Sequence, residues 1–432
     1  MEENKYKILE GSMLDILPTL EENSFDSCIT DPPYELNFMG KGWDRSGIAF
    51  RKETWEQVYR VLKPGAYLCA FGGSRTFHRI ACAIEDAGFE IRDTIMWLYG
   101  SGFPKSHNVG LDIDKRFGCE NRGHRIATAN RYHPDGTLEP NGENLPPYEG
   151  KTEEGKKWSG YGTCLKPAYE PIIVARKPIE KSVAENVLKY GCGAINIDEC
   201  RVGNEIIKGG TTPDFKDVAK KQKEISGVGC LSFDQVENAE RIELKDHEGR
   251  FPSNVILTYD ETDYDEVCGG MPKNDNGDSS SRYFYCAKAS KKDIDEGLDM
   301  FEEKQTTDGC IRANSETARM FGANSISKKN IHPTVKPIDL MQYLVRMFTP
   351  KGGAILEPFA GSGSTGKATM FENRERNANY TITMIEITHE YIPIIKARCD
   401  YAINKYKYDD EKALRERKEK GELNIFDFDY GE

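Results

Sequence analysis

The sequence predicts an α/β protein, with a predominantly parallel sheet assembled from both ends of the chain and a mixed region inserted between them. Three observations carry this expectation. Strand and helix patterns alternate through the first 100 residues, the alternation returns after about residue 330, and from about Pro178 to Asn330 polar residues prevail. At 432 residues the chain exceeds the usual single domain, which fits a core of roughly 200 to 250 residues carrying an insertion.

Taken in order, Gly11 to Asp15 and then Asn23 to Thr30 read as strand, short helix and strand, closing on the turn Asp31-Pro32-Pro33-Tyr34. Thr54 is expected to cap a helix, with Gln57 as its capping-box partner. Trp55, Val58, Tyr59 and Leu62 form the buried stripe, and Pro64-Gly65 stop the helix. A strand from Ala66 to Phe71 follows. Next come a helix from about Ser74 to Ala87, ended by Gly88, and a strand from Phe89 to Leu98. Gly118 to Leu165, rich in Gly, Pro, Asn and charge, reads as a long loop, and Glu170 to Ala175 as the last strand of this half. Near the other end a helix opens at Pro337 and runs through about Phe348, and apolar strands end at Glu357 and Glu386. The helix from about Thr388 to Asn404 buries Ile392, Ile395, Cys399 and Ala402 on one face. Lys405 to Lys420 reads as a solvated helix, and Phe426 to Tyr430 as either an edge strand or a partner motif.

The formal net charge of −12 argues against a protein that coats nucleic acid nonspecifically, though not against a local basic cleft. Cations gather at Lys288, Lys291 and Lys292, and again at Arg312, Arg319, Lys328 and Lys329, where a solvated charged face is an equal reading. Phe251 to Leu257 and Ser281 to Lys288 interleave aromatics with cations, which suits base stacking and phosphate contact as well as ordinary core packing. Twelve cysteines without a CxxC pair or zinc spacing read as reduced thiols, and no metal is implied. No apolar run approaches the roughly 18 residues needed to span a bilayer, so no membrane role and a cytoplasmic location are expected.

The chemistry is concentrated in two segments. Asp31 and the Pro32 carbonyl present acceptors for the two hydrogens of an NH2 group, and consecutive prolines hold that carbonyl without a competing N–H. Tyr34 adds a flat face on which an extruded base can stack. Two acceptors on a conjugated amino group favour a pyramidal nitrogen whose lone pair can attack a methyl group on a sulfonium. A tight turn between strand and loop is the plainer reading of such a tetrad. The second segment, Glu357-Pro358-Phe359-Ala360-Gly361-Ser362-Gly363-Ser364, suits a nucleotide-like cofactor. Gly361 to Lys367 also spells G-x-x-x-x-G-K, but Ala368 stands where a triphosphatase needs Ser or Thr for magnesium. Glu386, ending the second strand, suits a ribose diol in a Rossmann-like site.

Together, the tetrad with its flanking elements resembles the amino-methylating DNA methyltransferases that use S-adenosylmethionine, the adenine-N6 and cytosine-N4 enzymes. His332-Pro333-Thr334-Val335-Lys336-Pro337 is similar to the HPTxKP element that walls the methionine end of the cofactor in that family. By itself it is a proline-rich helix start. Arg60 to Gly65 resembles the family's RVLKPG element, although a helix stop also accounts for it. The order of tetrad, long middle, HPTxKP and FxGxG loop looks like the permuted group of these enzymes, whose catalytic half comes first.

The resemblance implies a Rossmann-like methyltransferase fold. Residues 1–177 would be the catalytic half, with a long loop at about 118–165, and residues 178–330 an inserted target-recognition region. Residues 331–404 would be the cofactor-binding half and 405–432 a charged tail. Asp31, Pro32, Pro33 and Tyr34 would be catalytic. S-adenosylmethionine would lie on Asp15, Thr334, Lys336, Glu357, Phe359, Ala360, Gly361, Ser362, Gly363, Ser364 and Glu386. Double-stranded DNA would meet Lys288, Lys291 and Lys292, with a cognate restriction endonuclease and a second copy of the chain as further candidate partners. Asp at the first tetrad position leans toward adenine N6, since cytosine-N4 enzymes of this type more often carry Ser. Other readings are methylation of RNA or of protein glutamine, usually with Asn first, and a DNA-binding regulator that keeps the fold without the activity.

Overall fold

β-strand Phe25–Thr30 has all six residues buried, the mark of a central strand covered on both faces, and the rest of the architecture is arranged around it. In the computed structural model, the described residues are 5–36, 42–99, 106–119, 130–132, 138–140, 149–213, 241–259, 284–288, 292–307 and 325–404. Among them, nine strands form the main sheet: β1 (Tyr6–Glu10), β2 (Phe25–Thr30), β3 (Leu62–Phe71), β4 (Glu90–Tyr99), β5 (Tyr169–Arg176), β6 (Val255–Tyr259), β7 (Tyr285–Lys288), β8 (Ala354–Glu357) and β9 (Thr381–Glu386). Their order is β1-β9-β8-β2-β3-β5-β4-β6-β7. Every pairing is parallel except the two made by β5, which runs antiparallel to both β3 and β4. Both chain ends supply the sheet as expected, and β6 and β7 extend it with strands from the middle of the sequence.

Alternate residues of β3 feed two cores. Tyr67, Cys69 and Phe71 join the helices α3 (Ile338–Phe348), α4 (Ser364–Arg376) and α5 (392–404) on one face. Leu68 and Ala70 join α1 (Lys52–Val61) and α2 (Phe77–Asp86) on the other. Helices on both faces of a mostly parallel sheet are the three-layer solution for strands that are apolar on both sides.

Helix α1 departs from its expected boundaries. It starts at Lys52, with Arg51 as the N-cap residue, so Thr54 lies inside the first turn. The Thr54 hydroxyl donates to the Ile48 carbonyl at 2.7 Å instead of capping, because the preceding turn, Ile48–Phe50, folds back over it. Leu62 belongs to β3 and pairs with Phe25. Pro64-Gly65 is therefore a docking point within the strand. Asn186 Nδ2 donates to the Pro64 and Cys192 carbonyls at 2.9 and 2.8 Å, bringing in the helix Val183–Tyr190. Gly65 has φ +83°, and a Cβ there would lie 2.2 Å from Asn186 Nδ2. α2 begins at Phe77, three residues later than expected, while α3 and the stripe Ile395, Cys399 and Ala402 follow the sequence pattern.

The chain divides into two compact units, 1–99 with 169–432, and 100–168. In the smaller, the helices Val109–Arg116 and Glu153–Lys157 are joined through the buried Asp114 carboxylate. It accepts from Lys151 N at 2.7 Å and from Thr152 N and Oγ1 at 3.0 and 2.6 Å. Within the larger unit, antiparallel pairs Val202–Ile207 with His247–Arg250 and Lys304–Thr307 with Ser325–Lys328 lie outside the main sheet. Among the described residues, no helix is long and apolar enough to cross a membrane and no cluster of His, Cys, Asp and Glu is placed to hold a metal. Residues 405–432, read as a solvated helix and tail, lie outside the described residues.

Candidate active site

Strands β2 and β8 are parallel neighbours, Ser27 opposite Ile355 and Cys28 opposite Leu356. From β2 the chain crosses to β3 on one side, and from β8 to β9 on the other. The order reverses between them, which opens a crevice beyond their carboxyl ends, the place where open α/β sheets bind ligands. The Asp31 tetrad leaves the end of β2 and the glycine loop leaves the end of β8, so the fold brings the two sequence motifs side by side. Thr30 and Glu357, the last residues of the two strands, are joined by a 2.6 Å hydrogen bond.

On the tetrad side, Asp31 Oδ2 accepts from Lys336 Nζ at 2.7 Å, whereas Asp31 Oδ1 is buried without a hydrogen-bond partner. Pro32 is buried. The Tyr34 hydroxyl donates to Glu170 Oε2 at 2.8 Å, and burial first, then Asp31 and Glu170, push its ionisation well up, so it stays neutral. Beyond the tetrad Glu35 takes φ +56°, and the amides of Glu35 and Leu36 donate to the Asp44 carboxylate at 2.8 and 3.1 Å, which fixes the exit of the turn.

On the loop side, Ala360 N donates to the Ile385 carbonyl at 2.9 Å and Gly361 N to Glu386 Oε2 at 2.7 Å. Glu386 Oε1 accepts from Thr388 N at 2.8 Å, and burial holds its carboxyl above the ordinary value. Gly361 and Gly363 have φ of +53° and +73°, and a Cβ on Gly363 would come within 2.9 Å of Ile395. Ser362 and Ser364 are buried and turn toward one another, 3.1 Å apart at their hydroxyls. Phe359 is half-buried and Ala360 buried. His332 packs edge-on against Tyr391, ring centroids 4.7 Å apart, and burial pushes its imidazole down to about 4, so the ring is neutral.

A family model for DNA methylases of the N6/N4 type matches residues 25–397. The chain belongs to the N6/N4 DNA methylase family. It is 33% identical over 109 residues to the type II methyltransferase M.HpaI of Haemophilus parainfluenzae, covering 23% of this chain and 34% of that one. It is 24% identical over 148 residues to the type II methyltransferase M.HindIII of Haemophilus influenzae, covering 33% and 37%. The chain thus spans little more than a third of the length of the curated relatives it matches. Among solved structures, the PvuII DNA methyltransferase, titled cytosine-N4-specific, aligns over 93% of both chains with TM-score 0.39 and 12% identity.

The expected site residues that the fold brings together form three groups. Asp31, Tyr34 and Lys336 meet on the tetrad side. Phe359 to Ser364 and Glu386 meet on the loop side. Glu357 sits between them with its carboxylate turned inward, accepting from Thr30, Thr365 Oγ1 at 2.6 Å and Phe359 N at 3.1 Å. Lys336, expected beside the cofactor, has its ammonium on Asp31. Asp15 is exposed on the short helix after β1, whose end is tied to Glu386 by Gly11 N donating to the Glu386 carbonyl at 2.9 Å. Thr334 is exposed, and its carbonyl is 2.5 Å from His332 Nδ1. Lys291 and the side chains of Lys288 and Lys292 lie outside the described residues.

The structure also bears on the G-x-x-x-x-G-K segment. Lys367 is fully buried, its ammonium 2.8 Å from Glu296 Oε2 and over the rings of Phe371 and Tyr401, so its charge is already engaged inside the fold. Three supporting residues escaped sequence reasoning. Arg398, fully buried, donates to the Ser362 carbonyl at 2.6 Å and the Asp293 carbonyl at 3.0 Å, tying the loop to the middle region. It falls three residues after Ile395 on the apolar stripe, a legible signal for a buried partner. Glu170 is the second residue of β5, just before its apolar run, a weaker signal, and Asp44 had none.

Burial pushes the Glu357 carboxyl up to about 8, against the opposing hydrogen bonds from Thr30, Thr365 and Phe359 N. The folded chain then holds a proton that an unfolded glutamate releases near 4.5, so this stabilisation is complete below that pH and is lost as pH rises toward 8. Glu357→Gln cannot titrate there. Thermal melting of the variant should therefore fall less steeply than wild type between about pH 5 and 8, and equal slopes would refute the shift.

Proposed function

We propose that this methylase transfers a methyl group from S-adenosylmethionine to an exocyclic amino group of DNA, with N6 of adenine as the target. The observation that carries the reading is Asp31, with one carboxylate oxygen on Lys336 and the other buried without a partner, one strand away from the glycine loop. A buried acceptor left unmatched is costly unless something else donates to it, and an amino hydrogen answers that need. The Pro32 carbonyl takes the second hydrogen, and the Tyr34 ring, pinned at its hydroxyl by Glu170, stacks on the extruded base.

The loop side fits the cofactor. Gly361 and Gly363 present backbone without side chains, and Glu386, whose oxygens each accept one amide, keeps lone pairs for a ribose diol. Phe359 and Thr334 flank it. Bound there, S-adenosylmethionine supplies a methyl group made electrophilic by its sulfonium. Asp31 and Pro32 draw on the amino hydrogens so that the nitrogen lone pair leaves conjugation with the ring, and the neutral His332 adds no charge beside the loop. Family membership supports amino methylation of DNA, and Asp rather than Ser at position 31 supports adenine.

Expression in a host lacking DNA methylation, followed by modification-sensitive sequencing of its DNA, tests the proposal. N6-methyladenine recurring at one short sequence is the expected result. N4-methylcytosine would keep amino transfer and displace adenine, and DNA indistinguishable from that of a host carrying empty vector would overturn the function.

A further inference from the structure

The Lys336 ammonium lies between two carboxylates, 2.7 Å from Asp31 Oδ2 and 3.5 Å from Glu170 Oε2. The rings of Tyr34 and Phe71 enclose it, 5.3 and 5.0 Å from the nitrogen, and its side chain is 9% exposed. A buried ammonium left without a counter-charge is costly. Yet on the function proposed above, Asp31 must also accept from an amino nitrogen that gains positive charge as it bonds to carbon. A cation held on the same carboxylate competes for its charge and repels the one being formed. Glu170 is the only other carboxylate within ion-pair distance of Lys336 among the described residues, and it is itself fixed by the Tyr34 hydroxyl at 2.8 Å.

We propose that Glu170 is a positioning residue that receives the Lys336 ammonium from Asp31 when the target base enters, freeing Asp31 for the amino group while holding the Tyr34 ring in place. Glu170 touches neither base nor cofactor in this scheme; it acts through Lys336 and Tyr34. The inference rests on the proposed amino methylation, so it is tested both with and without turnover.

With turnover, Glu170→Gln should lower kcat on unmethylated bulk DNA by about tenfold or more, with cofactor affinity by calorimetry unchanged. Adding Lys336→Met removes the cation that has nowhere to go, and should recover part of the lost rate. A double variant as slow as Glu170→Gln would overturn the proposal, because the lost rate would then not come from the stranded cation.

Without turnover, limited acetylation of the full chain, read at the Lys336 peptide by mass spectrometry, tests the two berths. Lys336 should stay protected in Asp31→Asn, where Glu170 takes it, and react only in Asp31→Asn/Glu170→Gln. Equal reactivity in these two variants would show that Glu170 offers no berth. If the wild-type chain methylates no DNA, the function is wrong, and the acetylation result still decides whether Lys336 moves between the carboxylates.

Discussion

Asp31→Ala is expected to lower methyl transfer by about 100-fold or more while leaving the fold and cofactor binding intact. A hydrogen bond to a charged group contributes about 1.5 to 3 kcal/mol, and the loss is largest where the bond strengthens with charge developing in the reaction. The same substitution removes the nearer partner of Lys336, but Glu170 at 3.5 Å remains to hold the ammonium, so collapse of the site is not expected. Single-turnover assays with labelled cofactor, alongside calorimetric titration of the cofactor alone, separate the two effects. Turnover within a fewfold of wild type would remove Asp31 from the reaction.

Glu386→Ala should weaken S-adenosylmethionine binding by about tenfold or more, because two losses coincide. The ribose acceptor goes, and the amides of Gly361 and Thr388 lose the carboxylate that holds the loop in its left-handed turn. Tyr34→Ala, on the other side of the crevice, should leave that affinity within about twofold and lower turnover on DNA instead. Calorimetry showing the opposite pattern would mean that the two motifs serve the opposite sites.

The two halves of the site could be read from sequence, but their junction could not. The tetrad and the glycine loop were legible because proline and glycine constrain the backbone locally, wherever the rest of the chain goes. The same holds for the strands flanking them, whose apolar runs follow from burial on both faces. What joins the halves was not legible. That Lys336 would reach Asp31 depends on α3 docking beside β2, a contact between residues 305 positions apart. Glu170 reaches Tyr34 only because β5 runs against its neighbours, and strand direction is not encoded in an apolar run. The helix start at Lys52 was misplaced for a related reason: the Thr54 hydroxyl satisfies a carbonyl in the preceding turn, and a polar residue near a helix start looks the same whether it caps or is buried.

The reversed strand has a further consequence, for the chain's tolerance of insertion. Leu98 and Tyr169 stand opposite one another in the β4–β5 ladder, so the 69 residues of the unit 100–168 leave and re-enter the sheet at a single step of hydrogen bonding. Closing a loop between points already in register costs entropy that grows only with the logarithm of its length, about 0.6 kcal/mol for each doubling. The closure cost borne by the ladder from Glu90 to Leu98 therefore depends only weakly on the length spliced between its strands. Glu170 stands two steps into the return, opposite Trp97, so its place beside Tyr34 and Lys336 is set by that ladder.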